Sequence, residues 1–130
     1  RGTIVAEAIV LTSPVEEYNG TDVVVKWVWT SKTHTAEADL VRHARNLAET
    51  ENPHMLDHLP HFLCVEEVEI DPSEDLVLRV VVQEPLEPLD DPRLTGEELA
   101  KAFKDIFECY RWLVEVAKIL HRDISVSNLM

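Results

Sequence analysis

The period of the hydrophobic pattern changes several times along the chain, and the order of these changes most limits the fold. Apolar residues with strand periodicity occupy four segments, at residues 4–10, 22–29, 62–70 and 76–82. The turn-like composition of residues 71–75 predicts that the last two segments form a hairpin. Residues 36–50 instead show helical spacing, and a longer helical stripe begins after Thr95 and Glu98, which are predicted to form a capping box. This order lacks the βαβ alternation of dinucleotide-binding folds and predicts a small antiparallel sheet with one helix, followed by a helical unit.

Charge and composition narrow the classes of function. The 130 residues include 12 Lys and Arg against 25 Asp and Glu, which gives a net charge of −13. Such acidity argues against a nucleic-acid partner and against an anionic membrane surface. The sequence has no apolar run of the ~20 residues needed to span a bilayer and no signal-peptide pattern at its start. Its 2 cysteines are interpreted as free thiols in a reducing, intracellular compartment.

The sharpest functional signal is His121-Arg122-Asp123, with Asn128 five positions after the aspartate. This is the spacing of the catalytic loop of protein kinases. In that loop a carboxylate accepts the proton of the attacking hydroxyl, and an amide oxygen binds the metal that bridges the phosphates. The alternative is a polar tail in which Arg122 and Asp123 are only solvated. The apolar end of the preceding helical pattern favours the catalytic interpretation.

Lys26 is the second candidate, because it interrupts an otherwise apolar strand that begins with Val23. A lone lysine in such a strand is often an edge residue whose amine reaches solvent. Together with the downstream motif, however, it matches the kinase strand whose lysine binds the α- and β-phosphates of ATP. Glu37, at the start of the following helix, is the predicted partner of this lysine. Glu49, or no partner at all, stays open as an alternative.

Two further groups are interpreted as structural. Three histidines lie in a segment interrupted by prolines: His54, His58 and His61. The prolines leave room for only a short helix, so surface histidines are favoured over a metal site. Trp27 and Trp29 share a strand face with Val25 and are interpreted as core or sheet cover, because the acidic chain is a poor match for single-stranded nucleic acid.

Taken together, these motifs resemble the fungal-type protein kinase family, whose fold is like that of eukaryotic protein kinases. The resemblance rests on residues 25–27, on Ala36-Glu37-Ala38 and above all on residues 120–125 followed by Asn128. It implies an α+β, protein-kinase-like fold with a small antiparallel N-lobe sheet and one helix, a hinge, and the start of a truncated helical C-lobe. The corresponding domain limits are 1–83 for the N-lobe, 84–95 for the hinge or linker, and 96–130 for the first C-lobe helix and catalytic loop.

The resemblance also implies ATP-dependent phosphoryl transfer to serine or threonine hydroxyls of a protein substrate that the sequence does not identify, with ATP and Mg²⁺ as cofactors. The residues that it assigns to catalysis are Asp123 as the base, Lys26 on the phosphates and Asn128 as a magnesium ligand. The residues that it places around the nucleotide are Gly2 at the end of a glycine-rich loop, Lys26, Glu37 as the partner of that lysine, and Glu84, Pro85 and Leu86 as the hinge.

The chain also departs from the kinase pattern. Ser125 stands where most protein kinases have a lysine or a similar residue, which removes one positive charge near the γ-phosphate. The 130 residues contain no Asp-Phe-Gly sequence, so the chain is interpreted as a fragment of a kinase domain that does not transfer phosphate by itself. Two alternatives stay open: a pseudokinase or scaffold that uses the fold to bind partners, and a small-molecule phosphotransferase.

Overall fold

The computed structural model describes residues 3–86, 89 and 91–120, and the predicted α+β order is confirmed within them. The strands are β1 (Thr3–Ile9), β2 (Asp22–Ser31), β3 (Phe62–Val68) and β4 (Leu76–Gln83). The helices are α1 (Glu37–Glu51) and α2 (Gly96–Glu115), with short 3₁₀ helices at Glu16–Tyr18 and Pro53–His58. No helix among these residues has both the length and the apolar character required to cross a membrane.

The strands form an antiparallel sheet in the order β1-β2-β4-β3. The valine-rich β2 and β4 are its two central strands, as expected for segments that are apolar on both faces. The predicted β3–β4 hairpin is confirmed. In its turn Asp71 Oδ1 accepts hydrogen bonds from the Ser73 hydroxyl at 2.7 Å and from the Ser73 backbone N–H at 2.8 Å. These bonds hold the pKa of Asp71 below its usual value.

Protection from solvent differs strongly between the strands. Every residue of the edge strand β1 is exposed, whereas Val77, Val81 and Gln83 of the central strand β4 are buried. Trp27 is half-buried and Trp29 is exposed, so only Trp27 approaches the predicted role in a core. Because Val23 and Ser31 of β2 are buried as well, the interior of the sheet lies along its two central strands, β2 and β4.

The described residues divide into two units. The first, the sheet unit, contains the chain up to Ala38 together with Pro60–Pro85, and the second, the helical unit, contains Asp39–Leu59 and the chain from Leu86 onward. Most of α1 is thus grouped with α2, whereas the resemblance assigns the whole helix to an N-lobe of residues 1–83. Those lobe limits stay a prediction.

The helical unit has an apolar core drawn from α1, from the segment around the 3₁₀ helix and from α2. Its buried residues are Ala44, Ala48, Met55, Leu59, Cys109, Trp112 and Ala117. At its centre the Cys109 thiol lies 3.8 Å from the backbone carbonyl oxygen of His58 and donates to it. On another part of α2, Phe103 and Phe107 remain exposed.

The predicted capping box at the start of α2 is confirmed. The Glu98 backbone N–H donates to Thr95 Oγ1 at 3.2 Å, and the Thr95 N–H donates to Glu98 Oε2 at 2.8 Å. Each bond satisfies a backbone donor that the first helical turn leaves free. The bond from the Thr95 backbone, together with a second from its hydroxyl, lowers the pKa of Glu98.

Candidate functional site

Lys26 lies in the middle of β2, directly between Val5 of β1 and Val81 of β4. It is half-buried, and both opposite neighbours are apolar, so the sheet offers its amine no polar group at the directly paired positions. Within the described part of the chain the Lys26 amine forms neither an ion pair nor a hydrogen bond. Lys26 is thus a half-buried cation whose charge no carboxylate balances in the part of the chain that the structure describes.

Glu37, the predicted partner of Lys26, is the first residue of α1 and is exposed. Among the described residues the two side chains form no ion pair. The role assigned to Glu37 in the nucleotide-binding site stays a prediction.

Arg79 fixes the segment that leads into α1. It lies in β4 with only 12% of its side chain exposed, and its Nε donates to Glu67 Oε2 of β3 at 2.8 Å. Its Nη2 donates to the backbone carbonyl of His34 at 2.9 Å. Sequence reasoning missed Arg79, although the signal was the one that identified Lys26: a single cation in a run of apolar strand residues.

Gln83, the last residue of β4, is a second polar residue that the sequence reasoning did not single out. It is only 3% exposed, and its Oε1 has no hydrogen-bond partner among the described residues. Its directly paired neighbours are Val24 of β2 and Phe62 of β3, which carry no donor in their side chains. A buried acceptor left without a donor destabilises a fold by about 1–3 kcal/mol, so its presence here calls for an explanation.

The predicted hinge residues Glu84, Pro85 and Leu86 follow Gln83 directly and are all exposed. The first of them is tied to the start of β3. The Glu84 N–H donates to the carbonyl oxygen of His61 at 3.2 Å, and His61 Nδ1 lies 3.1 Å from Glu84 Oε1. The adenine contact assigned to these residues stays a prediction.

The remaining predicted site residues, Gly2, Asp123 and Asn128, lie outside the described residues, as do Arg122 and Ser125. Their roles in phosphate binding, catalysis and magnesium binding stay predictions. What the structure does describe is the chain just before this motif.

After α2 the backbone turns at Lys118, whose φ is 58°. The Ile119 N–H donates to the carbonyl oxygen of Leu113 at 2.9 Å, and Ile119 packs against the buried core of the helical unit. The segment that leads to His121 is therefore fixed to α2 by apolar packing and by a hydrogen bond.

The histidine-rich segment forms the 3₁₀ helix Pro53–His58. The rings of His54 and His58 meet edge to face with centroids 5.0 Å apart, and His54 Nδ1 is 3.9 Å from Asp57 Oδ2. A search of the described residues finds no group of three or more His, Cys, Asp or Glu side chains arranged to hold a metal ion.

Comparison with known families places this α+β chain among the kinases. Residues 47–130 match the family described as fungal protein kinase, and this match covers more than half of the sequence. The chain belongs to the fungal protein kinase family. The matched region includes β3, β4, α2 and the His121-Arg122-Asp123 motif, and it begins after Lys26 and Glu37. Neither the curated proteins nor the solved structures contain a significant match.

Proposed function

We propose that this chain forms part of the catalytic domain of a protein kinase that transfers the γ-phosphoryl group of ATP to serine or threonine hydroxyls. The observation that carries the proposal is the family match over residues 47–130, because that region contains Asp123 and Asn128 at the spacing of a kinase catalytic loop. Because ATP is the donor, we place the reaction inside the cell.

In this proposal Lys26 binds the phosphates of ATP. The residue is half-buried in a valine-rich sheet, and no carboxylate among the described residues neutralises its charge. A partly desolvated cation interacts more strongly with an anionic phosphate than a fully solvated one does. This placement therefore favours phosphate binding over a purely structural role for the lysine.

Asp123 and Asn128 complete the proposed chemistry. Asp123 accepts the proton of the attacking hydroxyl. The side-chain oxygen of Asn128 is a hard donor, which is the kind that Mg²⁺ prefers, so the residue type fits the assigned ligand role. Bound magnesium neutralises the charge that develops on the phosphates.

The first test is magnesium-dependent binding of ATP to the full chain, measured by titration calorimetry. We expect Lys26→Met to weaken ATP binding at least tenfold, because it removes the cation that contacts the phosphates. Lys32→Met is the matched control. Lys32 directly follows β2 and pairs with Glu69 at the surface, so its loss leaves ATP affinity unchanged. Equal affinity of the wild type and Lys26→Met for ATP would contradict the role of Lys26.

A second measurement separates the classes of activity. Because the 130 residues contain no Asp-Phe-Gly sequence, transfer to a serine/threonine peptide is assayed in a longer chain that supplies this segment. We expect Asp123→Asn to abolish turnover while ATP still binds, because the base acts on the transition state. ATP binding without any turnover in the wild type identifies a pseudokinase. Transfer to a small-molecule hydroxyl but not to the peptide identifies a small-molecule phosphotransferase.

A further inference from the structure

Two polar side chains without a protein partner among the described residues share one face of the sheet. Lys26 pairs with Val81 and Val24 pairs with Gln83 across β2 and β4. Because directly paired residues point to the same face, and alternate residues along a strand do so as well, Lys26 and Gln83 both lie on this face. They are diagonal neighbours, about 7–8 Å apart in a typical antiparallel pair, which long side chains can span.

The two groups are chemically complementary. The Lys26 ammonium carries three N–H donors and no acceptor, and among the described residues none of these donors is used. Gln83 Oε1 is a buried acceptor without a donor. The side chains directly beside Gln83, those of Val24 and Phe62, offer it no hydrogen bond.

The other charged residues on this face are poorer partners for Lys26. Glu7 of β1 is also a diagonal neighbour of Lys26, but it is exposed, so water screens its interaction with the amine. Arg79 is a cation already engaged by Glu67 and by the His34 carbonyl oxygen. Gln83 differs from all of these because it is buried and therefore held in place.

We propose that Gln83 is a positioning residue for Lys26: the two side chains form no hydrogen bond in this structure, and a rotation of the Lys26 side chain brings its ammonium to the Gln83 carbonyl oxygen, which accepts a hydrogen bond and directs this cation toward bound phosphate. The proposal deepens the proposed function and rests on it, because phosphate binding is there assigned to Lys26. A neutral acceptor orients the ammonium without neutralising it, whereas a carboxylate partner would balance part of its charge. The full positive charge therefore stays available to the phosphates.

The contact is tested first without nucleotide, by NMR of the full chain with isotope-labelled lysine. The sequence contains only five lysines, so the Lys26 signal can be assigned by its disappearance in Lys26→Arg. We expect Gln83→Leu and Gln83→Met to shift the side-chain nitrogen signal of Lys26, because the ammonium of this half-buried residue loses its acceptor. Gln83→Glu keeps an acceptor at this position, so its Lys26 signal should lie closer to the wild-type position than those of the two apolar variants.

Matched variants identify the partner. Glu7→Gln removes the other diagonal neighbour and should leave the Lys26 signal unchanged, and Glu37→Gln tests the competing partner from α1. The proposal is overturned if both Gln83→Leu and Gln83→Met, with their sheet amide signals intact, leave the Lys26 signal at its wild-type position. It is also overturned if Glu37→Gln shifts this signal as much as they do.

ATP binding then separates this proposal from the proposed function. We expect Gln83→Met to weaken ATP binding about tenfold, with Gln83→Glu also weaker than wild type because its carboxylate competes with phosphate for the lysine. If the wild-type chain fails to bind ATP, the proposed function fails, while the Lys26 signal in the Gln83 variants still decides whether the contact with Gln83 exists. If the wild type binds ATP and both Gln83 variants bind it equally well, the positioning role is wrong.

Discussion

The sheet unit and the helical unit have interiors of different chemistry. Among the described residues of the helical unit the buried residues are apolar apart from the Cys109 thiol, and one polar atom, His58 Nε2, is buried without a hydrogen-bond partner. In the sheet unit, by contrast, Ser31 and Gln83 are buried, Lys26 is half-buried and Arg79 is almost enclosed. Polar groups inside a small sheet reduce its stability unless they are satisfied. The difference indicates that the helical unit is built for stability, whereas the sheet unit gives up part of its stability for the positioning of charged side chains.

The largest expected effect is in the helical core. Trp112→Ala removes a buried indole from the cluster formed with Ala44, Met55 and Cys109, so we expect the free energy of unfolding to fall by about 3–5 kcal/mol. Urea denaturation followed by circular dichroism measures this loss. Phe107→Ala on the same helix is the control, because Phe107 is 64% exposed and should change stability little. If the two substitutions have equal effects, the core has been assigned to the wrong face of α2.

A smaller effect is expected in the sheet unit. Arg79→Met keeps most of the apolar stem but removes the bonds to Glu67 and to the His34 carbonyl oxygen, so we expect a loss of about 2 kcal/mol. Hydrogen exchange should accelerate first in residues 32–36, which Arg79 ties to the sheet. Uniform acceleration over β1 and β2 would show that Arg79 supports the whole sheet rather than this connection.

The smallest effect is expected at the start of α2. Thr95→Ala removes one half of the capping box and should lower the free energy of unfolding by about 1 kcal/mol at neutral pH. Because the folded-state pKa of Glu98 is below its usual value, the stabilisation by this carboxylate is present above the unfolded pKa. It is lost as the pH falls through the folded pKa. The difference between Thr95→Ala and wild type should therefore shrink in acid, and a difference independent of pH would show that Glu98 takes no part in the cap.

Local patterns predicted most of the fold. The strands, the β3–β4 turn and the Thr95 capping box depend on residues within a few positions of one another, so the periodicity and the cap residues identified them. Gln83 could not be identified in this way. Its burial and its place beside Lys26 depend on the pairing of β2 with β4, which are separated in sequence by α1 and β3.

The grouping of α1 was also beyond local reasoning. The small residues Ala44 and Ala48 form a stripe that can pack against either a sheet or a helix, and the sequence does not say which. In the structure they join Met55 and Trp112 in the helical core. The lysine partner is open for a related reason: Glu37 has the expected position at the helix start, but position in the sequence does not fix distance in space, so its pairing with Lys26 stays a prediction.

The two cysteines are expected to react with alkylating reagents at very different rates. Cys64 is exposed, whereas Cys109 is buried in the helical core, where burial raises the pKa of its thiol to about 11. Alkylating reagents react with the thiolate. Cys64 should therefore react rapidly, whereas Cys109 should react only when α2 separates from its neighbours. The slow phase of alkylation then records how often the helical core opens in the native state, without any introduced label.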